Sequence, residues 1–315
     1  MAAIYHYNMV HWLFFFYTYC FLGWCFESTY VSIRTRKFVN RGFMRGPFLP
    51  IYGSGAIMMY VVSMPFRDNI ILTYVAGCIG ATALEYITGV FMDSLFHIRY
   101  WDYSNQKFNF QGHICLSSTL TWGFFTIMMT RVIHRPIELF VMGIPKNILN
   151  YATFFLTVYI VADFALSFKT ALDLRDILAK MQRVKEEMER MNKRLDVIIA
   201  FNNADKAQKQ QEREHEYELR ISDLAEALGQ RFNSLKEMIQ RTPGAYVDNV
   251  REEIAELRAR YNLYMENRRN YKEMLDFYKW DMIRNNPNMS SEKYKDSFEE
   301  LKGAVEKKKE KEKEK

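Results

Sequence analysis

The segment His11–Ile33 reads HWLFFFYTYCFLGWCFESTYVSI, and it decides the fold class because it is apolar over the length of a membrane span. Its one acidic residue is Glu27, and the first 33 residues of the chain contain no Lys or Arg. A helix needs about 20 mostly apolar residues to cross the hydrocarbon core of a bilayer. The sequence therefore predicts that the chain enters a membrane near its beginning.

Four later apolar segments extend this pattern into an all-α, polytopic membrane helix bundle of about five spans. They are Phe48–Phe66, Ile70–Phe96, Ile114–Ile133 and Leu149–Phe168. A further apolar patch, Pro136–Pro145, has about 10 residues and is too short to span. It predicts a re-entrant or interfacial turn. Residues 1–168 are thus expected to form a transmembrane domain.

The distribution of Lys and Arg predicts how the bundle is oriented. The loop after the first span and the sequence after the fifth are both rich in basic residues. Because short basic loops remain in the cytoplasm, five spans place the N-terminus outside and the C-terminal tail inside a multi-pass cell-membrane protein. One basic connection, which contains Arg131, Arg135 and Lys146, goes against the rule because this topology places it outside.

The two halves of the chain differ in kind although their charge balances are similar. Residues 1–168 hold eleven Lys/Arg and seven Asp/Glu, and residues 169–315 hold 32 and 30. Neither half is basic enough to indicate nucleic-acid binding. The four cysteines lie in or next to apolar segments without zinc spacing, which is typical of free, buried thiols. We predict no metal and no other cofactor.

After residue 168 the apolar residues take up heptad spacing, which predicts cytoplasmic coiled-coil helices over residues 169–306. The first seam consists of Leu174, Ile177, Met181, Val184, Met188, Met191, Leu195 and Ile198. The second consists of Tyr217, Ile221, Leu224, Leu228, Leu235 and Met238. The third consists of Val247, Val250, Ile254, Leu257, Tyr261, Tyr264, Tyr271, Leu275, Tyr278 and Met282.

A breaker at residues 242–244 separates the second seam from the third. It predicts a long helix that folds back as a hairpin, or that pairs with a second subunit or another helical partner through residues 174–282. The charged end, residues 307–315, is predicted to be disordered. The charged coiled coil that precedes this end is typical of a structural or docking device.

Acidic residues inside the predicted spans are the first candidates for a functional site, because an ionisable group in a bilayer is costly unless it is paired or lines a cavity. They are Glu27, Glu85, Asp93 and Asp163. Glu85 lies near the middle of the third span. Arg41 is the expected counter-charge for Glu27 or Glu85, since a guanidinium can bind a carboxylate in a bidentate manner.

The polar residues near the predicted cytoplasmic face complete the candidate site. The Phe38–Gly53 loop suits a re-entrant segment and equally an ordinary tight loop before a helix. Trp101 and Asp102 suit ligand contact and equally a structural loop at headgroup depth. The predicted polar pocket consists of Glu27, Asn40, Arg41, Glu85, Trp101, Asp102 and Asn109. No residue is assigned as catalytic, and none as a metal ligand.

The sequence contains none of the short motifs that mark the common catalytic sites. The phosphate-binding motif G-x-x-x-x-G-K-S/T is absent, as are H-E-x-x-H, G-x-S-x-G and C-x-x-C. These 315 residues therefore hold no P-loop ATPase of their own, and the sequence does not favour an enzyme.

A constellation of short motifs in the first half resembles a bacterial membrane family. It consists of Gly23-Trp24 with Glu27, Asn40-Arg41-Gly42-Phe43 with Gly46-Pro47, Pro50-Ile51-Tyr52-Gly53, Glu85-Tyr86 with Gly89, Trp101-Asp102-Tyr103-Ser104, Phe108-Asn109, and Gly112 with Ile114-Cys115-Leu116, Ser118 and Trp122-Gly123. Over roughly residues 9–165 these motifs resemble the "type IV" family of putative ABC-transporter permeases. The resemblance implies a subunit of the bacterial inner membrane that uses a separate ATPase. The heptad tail lies outside it.

Three functions remain open at this point. The first is a permease-like subunit, without its own ATPase, that assembles or docks through the coiled coil. The second is a membrane-embedded enzyme or lipid-binding protein, in which Glu85 and Glu27 act as acid and base while Asn40 and Arg41 bind an anionic headgroup. The third is a membrane-anchored coiled-coil scaffold. The expected partners are membrane lipid, a separate ATPase subunit and a second copy of the chain.

Overall fold

The computed structural model describes residues 7–202, 221–241 and 245–313, and most of these residues are helical. The helices are α1 (Met9–Thr35), α2 (Pro50–Ser63), α3 (Ile70–Phe96), α4 (Leu116–Met128), α5 (His134–Gly143), α6 (Lys146–Asn202), α7 (Ile221–Arg241), α8 (Ala245–Glu273), α9 (Phe277–Asn285) and α10 (Lys295–Lys313). Two short strands, β1 (Asn109–Phe110) and β2 (Ile114–Cys115), pair as an antiparallel hairpin.

The chain divides into two compact units. The first unit consists of Met1–Asp173 and Tyr278–Glu292, and the second consists of Leu174–Phe277 and Lys293–Lys315. The sequence analysis assigns residues 278–292 to the tail, whereas the structure groups them with the predicted membrane region.

Three helices of the described residues are long and apolar enough to cross a membrane, and these are α1, α3 and α6. The other two predicted spans fall on α2 and α4, which have 14 and 13 residues. At 1.5 Å per residue each of them by itself reaches only about 20 Å, against a hydrocarbon core of about 30 Å. Helix α4, however, continues through Met129–Ile133 into α5, so the continuous helical segment is longer than α4 alone. The apolar helices indicate a membrane protein, and the count of five spans stays a prediction.

Local capping determines where the apolar helices begin and end. The Oδ1 atom of Asn8 accepts the backbone N–H of His11 at 3.0 Å and caps α1, and Asn69 caps α3 in the same manner. Arg36 and His97 terminate these two helices with φ near +53°. In this left-handed conformation the chain leaves the helix axis sharply.

The predicted turn at Pro136–Pro145 is wrong. The segment forms helix α5, which continues from α4 through a π-helical turn at Met129–Ile133. The ring of Pro136 and its missing N–H disrupt regular bonding to the carbonyl four residues earlier. The wider π-turn lies at this position and accommodates the disruption, so that the helix bends instead of ending.

The connection from α1 to α2 folds back along α1 and is re-entrant in that sense, and α2 begins directly after it at Pro50, so each alternative for Phe38–Gly53 describes part of the segment. The backbone N–H of Leu49 donates to the carbonyl of Cys20 at 3.0 Å, and Cys20 lies near the middle of α1. Because α1 ends at Thr35, the loop returns along it by about 22 Å. Helix α2 therefore starts halfway along α1.

Small residues allow α3 and α4 to pack closely. Gly77 of α3 lies against Thr126, and Gly123 of α4 lies against Tyr74 and Cys78. A side chain at either glycine would overlap these neighbours. Close approach of this kind is the usual basis of helix association in a bilayer, where apolar surface alone gives no driving force.

The second unit buries the predicted heptad seam. All eight residues of the first seam are buried, and the part from Val184 onward packs with Leu224, Leu228 and Phe232 of α7 and Ile254 of α8. Tyr217 and the breaker at 242–244 lie outside the described residues. Packing of the coiled-coil type and pairing with a second subunit stay predictions.

The third seam is not one continuous helix. Helix α8 ends at Glu273, and Tyr278 and Met282 belong to α9 in the first unit. Heptad spacing continued across residues 274–276 by coincidence, since these residues leave the helical conformation. Helix α10 runs to Lys313, into the segment for which the sequence analysis expects disorder, and disorder there stays a prediction.

Candidate functional site

The re-entrant loop, residues 36–49, is held by side chains from the helices around it. Ser28 of α1 accepts the backbone N–H of Arg41 at 3.1 Å. Asp163 of α6 accepts the N–H groups of Arg45 and Gly46 at 3.2 and 2.8 Å. Non-helical backbone in a membrane bundle needs such partners, because its N–H and C=O groups form no intrahelical hydrogen bonds. Asp163, which belonged to no sequence motif, therefore anchors the loop.

Arg41 is buried, with 8% of its surface exposed, and pairs with Glu27 instead of Glu85. Its Nε lies 3.4 Å from Oε1 of Glu27, and its Nη2 donates to the carbonyl of Tyr100 at 3.4 Å. The other carboxylate oxygen of Glu27 accepts the hydroxyl of Tyr52 at 2.8 Å. The expected counter-charge pair is thus present, with Glu27 as its acid.

Asn286 also contacts this pair, although it is 245 residues away from Arg41 in sequence. Its Oδ1 accepts Nη1 of Arg41 at 3.1 Å and the N–H of Gly42 at 3.3 Å, and its Nδ2 donates to the carbonyl of Gly42 at 3.0 Å. Gly42 has φ +128°, a conformation that other residues rarely adopt. The side-chain amide of Asn286 therefore satisfies both backbone groups of this glycine.

The rest of the segment Tyr278–Glu292 binds the loop that follows α3. Arg99 and Ser290 exchange two backbone hydrogen bonds of 2.8 and 2.9 Å, and the hydroxyl of Ser290 donates to Asp102 at 2.8 Å. The hydroxyl of Ser291 donates to the carbonyl of His97 at 2.6 Å. These bonds make the segment an integral part of the first unit.

Asp102 and Asn109 organise the loop between α3 and the hairpin. Asp102 accepts the N–H and the hydroxyl of Ser104 at 2.9 and 2.6 Å. Burial raises the pKa of Asp102, but the bonds from Ser104 and Ser290 and the charge of Arg99 outweigh it and lower the pKa below its usual value. Asn109 bonds the carbonyl of Ser104 at 3.2 Å in the same loop.

Glu85 occupies a separate polar cluster and is 5% exposed. Its carboxylate accepts the Tyr103 hydroxyl at 3.0 Å, the Ser118 hydroxyl at 3.2 Å and the Trp122 Nε1–H at 2.9 Å. Burial, followed by the charge of Glu85, raises the pKa of Tyr103, so that this phenol stays neutral and donates. Three neutral donors suit an ionised carboxylate, which can only accept.

A cavity of about 180 Å³ lies beside the ion pair. Glu27, Arg41 and Asn286 form its polar corner. Its walls are mostly apolar and include the side chains of Phe43, Phe91, Met92, Phe96, Tyr100, Trp101, Phe164 and Phe168. All of these residues belong to the first unit.

The first half of the chain matches a known family. The family model with the description "Putative ABC-transporter type IV" matches residues 14–168. This part of the chain belongs to that family. The matched residues include Glu27, Arg41, all of α3 and most of α1, whereas Asn286 lies outside them. Searches of curated proteins and of solved structures found no match.

The structure brings only some of the seven predicted pocket residues together. Glu27, Arg41 and Trp101 line the cavity. Asn40 lies beside it, where Oδ1 accepts Trp24 Nε1–H at 2.6 Å and Nδ2 donates to the carbonyl of Arg45 at 2.6 Å. Glu85, Asp102 and Asn109 do not line the cavity.

Sequence reasoning missed Asn286 and the hydroxyl donor Tyr52. The only sequence signal around Asn286 is the string Asn285-Asn286-Pro287-Asn288, which indicates a turn and not a site. Within the described ranges, no three His, Cys, Asp or Glu side chains are arranged to hold a metal ion. The Nε2 atom of His113 lies 3.6 Å from Oδ2 of Asp93.

Proposed function

We propose that this chain is a permease-like membrane subunit of an ABC-type transporter and that a separate ATPase drives it. The single observation that carries the proposal is the cavity beside the Glu27–Arg41 ion pair, whose lining residues other than Asn286 lie in the region that matches the family. Ionisable residues among apolar helices are costly, and they typically mark the path of a solute.

The re-entrant loop supports the same function. Non-helical backbone and half-length helices are tolerated within membrane bundles where they are buried in protein or line a cavity. In many transporters such interrupted segments form the substrate site. Here the loop contributes Arg41, Gly42 and Phe43 to the cavity, and α2 contributes Tyr52.

The proposal of a separate ATPase is supported by the family description, which names an ABC transporter, together with the absence of a phosphate-binding motif from these 315 residues. We propose that the N-terminus lies outside and that the tail lies in the cytoplasm, where the ATPase is located. Residues 174–282 are the proposed docking or dimerisation region. In this arrangement the charged second unit provides the contact with the ATPase or with a second copy of the chain.

Crosslinking tests the proposal directly. Intact cells are crosslinked, the full chain is purified in detergent, and vanadate-sensitive ATP hydrolysis and P-loop peptides are measured together. We expect one P-loop ATPase, with hydrolysis that decreases in Arg41→Gln and stays unchanged in the control Lys37→Gln, whose side chain is exposed. If crosslinked membranes yield the full chain without any P-loop ATPase, the proposal is wrong.

A further inference from the structure

We propose that the cavity binds one hydrocarbon chain of a membrane amphiphile whose polar end is uncharged and carries hydroxyl groups. The inference rests on the proposed function in one respect only, because it names the class of cargo that the permease would take. The binding site itself follows from the cavity's walls, its opening and its polar corner, which are considered in turn.

The walls suit hydrocarbon in preference to water. An apolar cavity of about 150 Å³ stays dry and binds a molecule as small as benzene. The cavity in this chain has about 180 Å³ and is lined by aromatic rings and Met92 over most of its surface. It is large enough for part of one acyl chain and too small for a lipid with two chains, so the remainder of the ligand must extend out of it.

Exposed lining residues on α3 and α6 lead us to place the opening between these two helices, both of which are apolar enough to cross a membrane. Phe91 of α3 is 55% exposed and Phe164 of α6 is 42% exposed, and both also line the cavity. Their outer surfaces would meet lipid tails in a bilayer. At the far side, the rings of Phe96 and Phe168 meet edge to face with centroids 5.1 Å apart. An acyl chain can therefore enter sideways from the membrane.

The polar corner suits a group that both donates and accepts hydrogen bonds. Three of the five N–H groups of Arg41 have acceptors among the described residues, which leaves two for a ligand. The carboxylate of Glu27 offers further lone pairs beside them. The positive charge of Arg41 is already balanced by Glu27, so an anionic headgroup would be repelled by the Glu27 carboxylate. A hydroxyl group matches both partners.

Asn286 lines this corner of the cavity. Its amide holds Arg41 and both backbone groups of Gly42, and the residue is itself buried. The segment Tyr278–Glu292 thus forms a wall of the cavity. The ligand's polar end would contact residues from outside the family region.

Photolabelling with three single-chain probes tests the inference. Diazirine-bearing analogues of monoolein, oleate and oleoyl lysophosphatidic acid share one chain and differ in headgroup charge. The full-length protein in lipid vesicles is labelled over a range of probe concentrations, and the labelled peptides are identified by mass spectrometry. We expect saturable labelling of α3 and α6 around Phe91 and Phe164 by monoolein, with apparent affinity about tenfold or more above that for the two anionic probes.

Cavity-filling variants show whether the labelled site is this cavity. Phe91→Trp and Thr88→Phe add volume at two residues that line it, and each should weaken monoolein binding by about tenfold. The control Phe155→Trp makes the same substitution as Phe91→Trp, but at an exposed residue of α6 that does not line the cavity. Its affinity for monoolein should stay within about twofold of the wild-type value. Elution profiles of the purified variants identify any that fail to fold.

Two outcomes would overturn the inference. One is tighter binding of either anionic probe, which would make the corner an anion site. The other is monoolein labelling that both filling variants leave unchanged. Crosslinking to a P-loop ATPase is measured separately, so that loss of lipid binding with the ATPase still present refutes only the inference. Lipid binding without an ATPase refutes only the permease.

Discussion

Glu27 and Glu85 are both carboxylates in apolar helices of the first unit, yet their surroundings differ. Glu27 has a counter-charge, Arg41, and its side chain is 24% exposed beside a cavity. Glu85 is 5% exposed, has three neutral donors and does not line the cavity. The comparison indicates that Glu27 has room for a ligand, whereas Glu85 serves to join α3 to α4 and to the loop that carries Tyr103.

The same physical cost is met in two ways. A buried carboxylate must recover the hydration that it loses. Glu85 recovers it from hydrogen-bond donors on α4 and on the loop that follows α3, and each of these donors is directed at the carboxylate. Glu27 recovers it from an Arg on a re-entrant loop. Asn286 in turn holds that Arg, and none of these three residues shares an element with another.

Removing the counter-charge should have the largest effect. We expect Arg41→Ala to lower the free energy of unfolding by about 3–5 kcal/mol, because Glu27 is left buried without its partner. Unfolding of the purified protein in detergent measures the change. The matched control is Lys37→Ala on the same loop, whose side chain is exposed and whose substitution should stay within about 0.5 kcal/mol. Equal effects of the two variants would contradict a buried ion pair.

Glu85→Gln should have the next largest effect and should separate the two carboxylates. The amide of Gln turns one acceptor into a donor and leaves one of three donors unsatisfied, at about 1–3 kcal/mol. Monoolein binding should nevertheless stay unchanged, because Glu85 does not line the cavity. Unfolding and photolabelling of the same preparation check both parts. Loss of binding at full stability would place Glu85 in the ligand site.

Asn286→Ala should destabilise the first unit by about 1–2 kcal/mol, because Arg41 and Gly42 lose hydrogen-bond partners. The expected signature is local, namely faster hydrogen exchange at the backbone amides around Gly42. Asn288→Ala, which changes an exposed asparagine of the same turn, is the control. Unaltered exchange around Gly42 in the Asn286 variant would show that the segment does not cover the cavity.

The smallest expected effect is on acid stability and concerns Asp102. Its pKa is lowered in the folded protein, so its contribution is complete above the ordinary Asp pKa and is lost as the pH falls through the lower, folded value. Asp102→Asn should therefore reduce the loss of stability between neutral and acidic pH. The exposed Asp68, changed to Asn, is the control. Identical pH profiles for wild type and Asp102→Asn would contradict the prediction.

Much of the helical fold could be predicted from local sequence. Three of the five predicted spans coincide with α1, α3 and the first part of α6, because hydropathy over about 20 residues reports the environment of each helix. The first heptad seam is buried as its spacing predicts. The third seam shows the limit of that rule, since its period continued through Met282 although the helix ends at Glu273.

The candidate site was only partly predictable. Composition alone identified Glu27 and Arg41, because a carboxylate and a guanidinium are rare in apolar sequence and need each other. It could not choose between Glu27 and Glu85 as the partner of Arg41. In the folded chain Glu85 accepts hydrogen bonds from Tyr103, Ser118 and Trp122, and Arg41 pairs with Glu27.

The sequence by itself determined that this is a protein of apolar helices with a charged helical tail, and it predicted that Arg41 pairs with Glu27 or with Glu85. These properties depend on spacing and composition within one segment. The tertiary structure alone decided that the loop is re-entrant and that Asn286 completes the cavity. Arg41 and Asn286 are 245 positions apart, and no periodicity or composition of the sequence indicates their contact. The tail contains many polar residues, and only the folded chain shows which amide reaches Arg41.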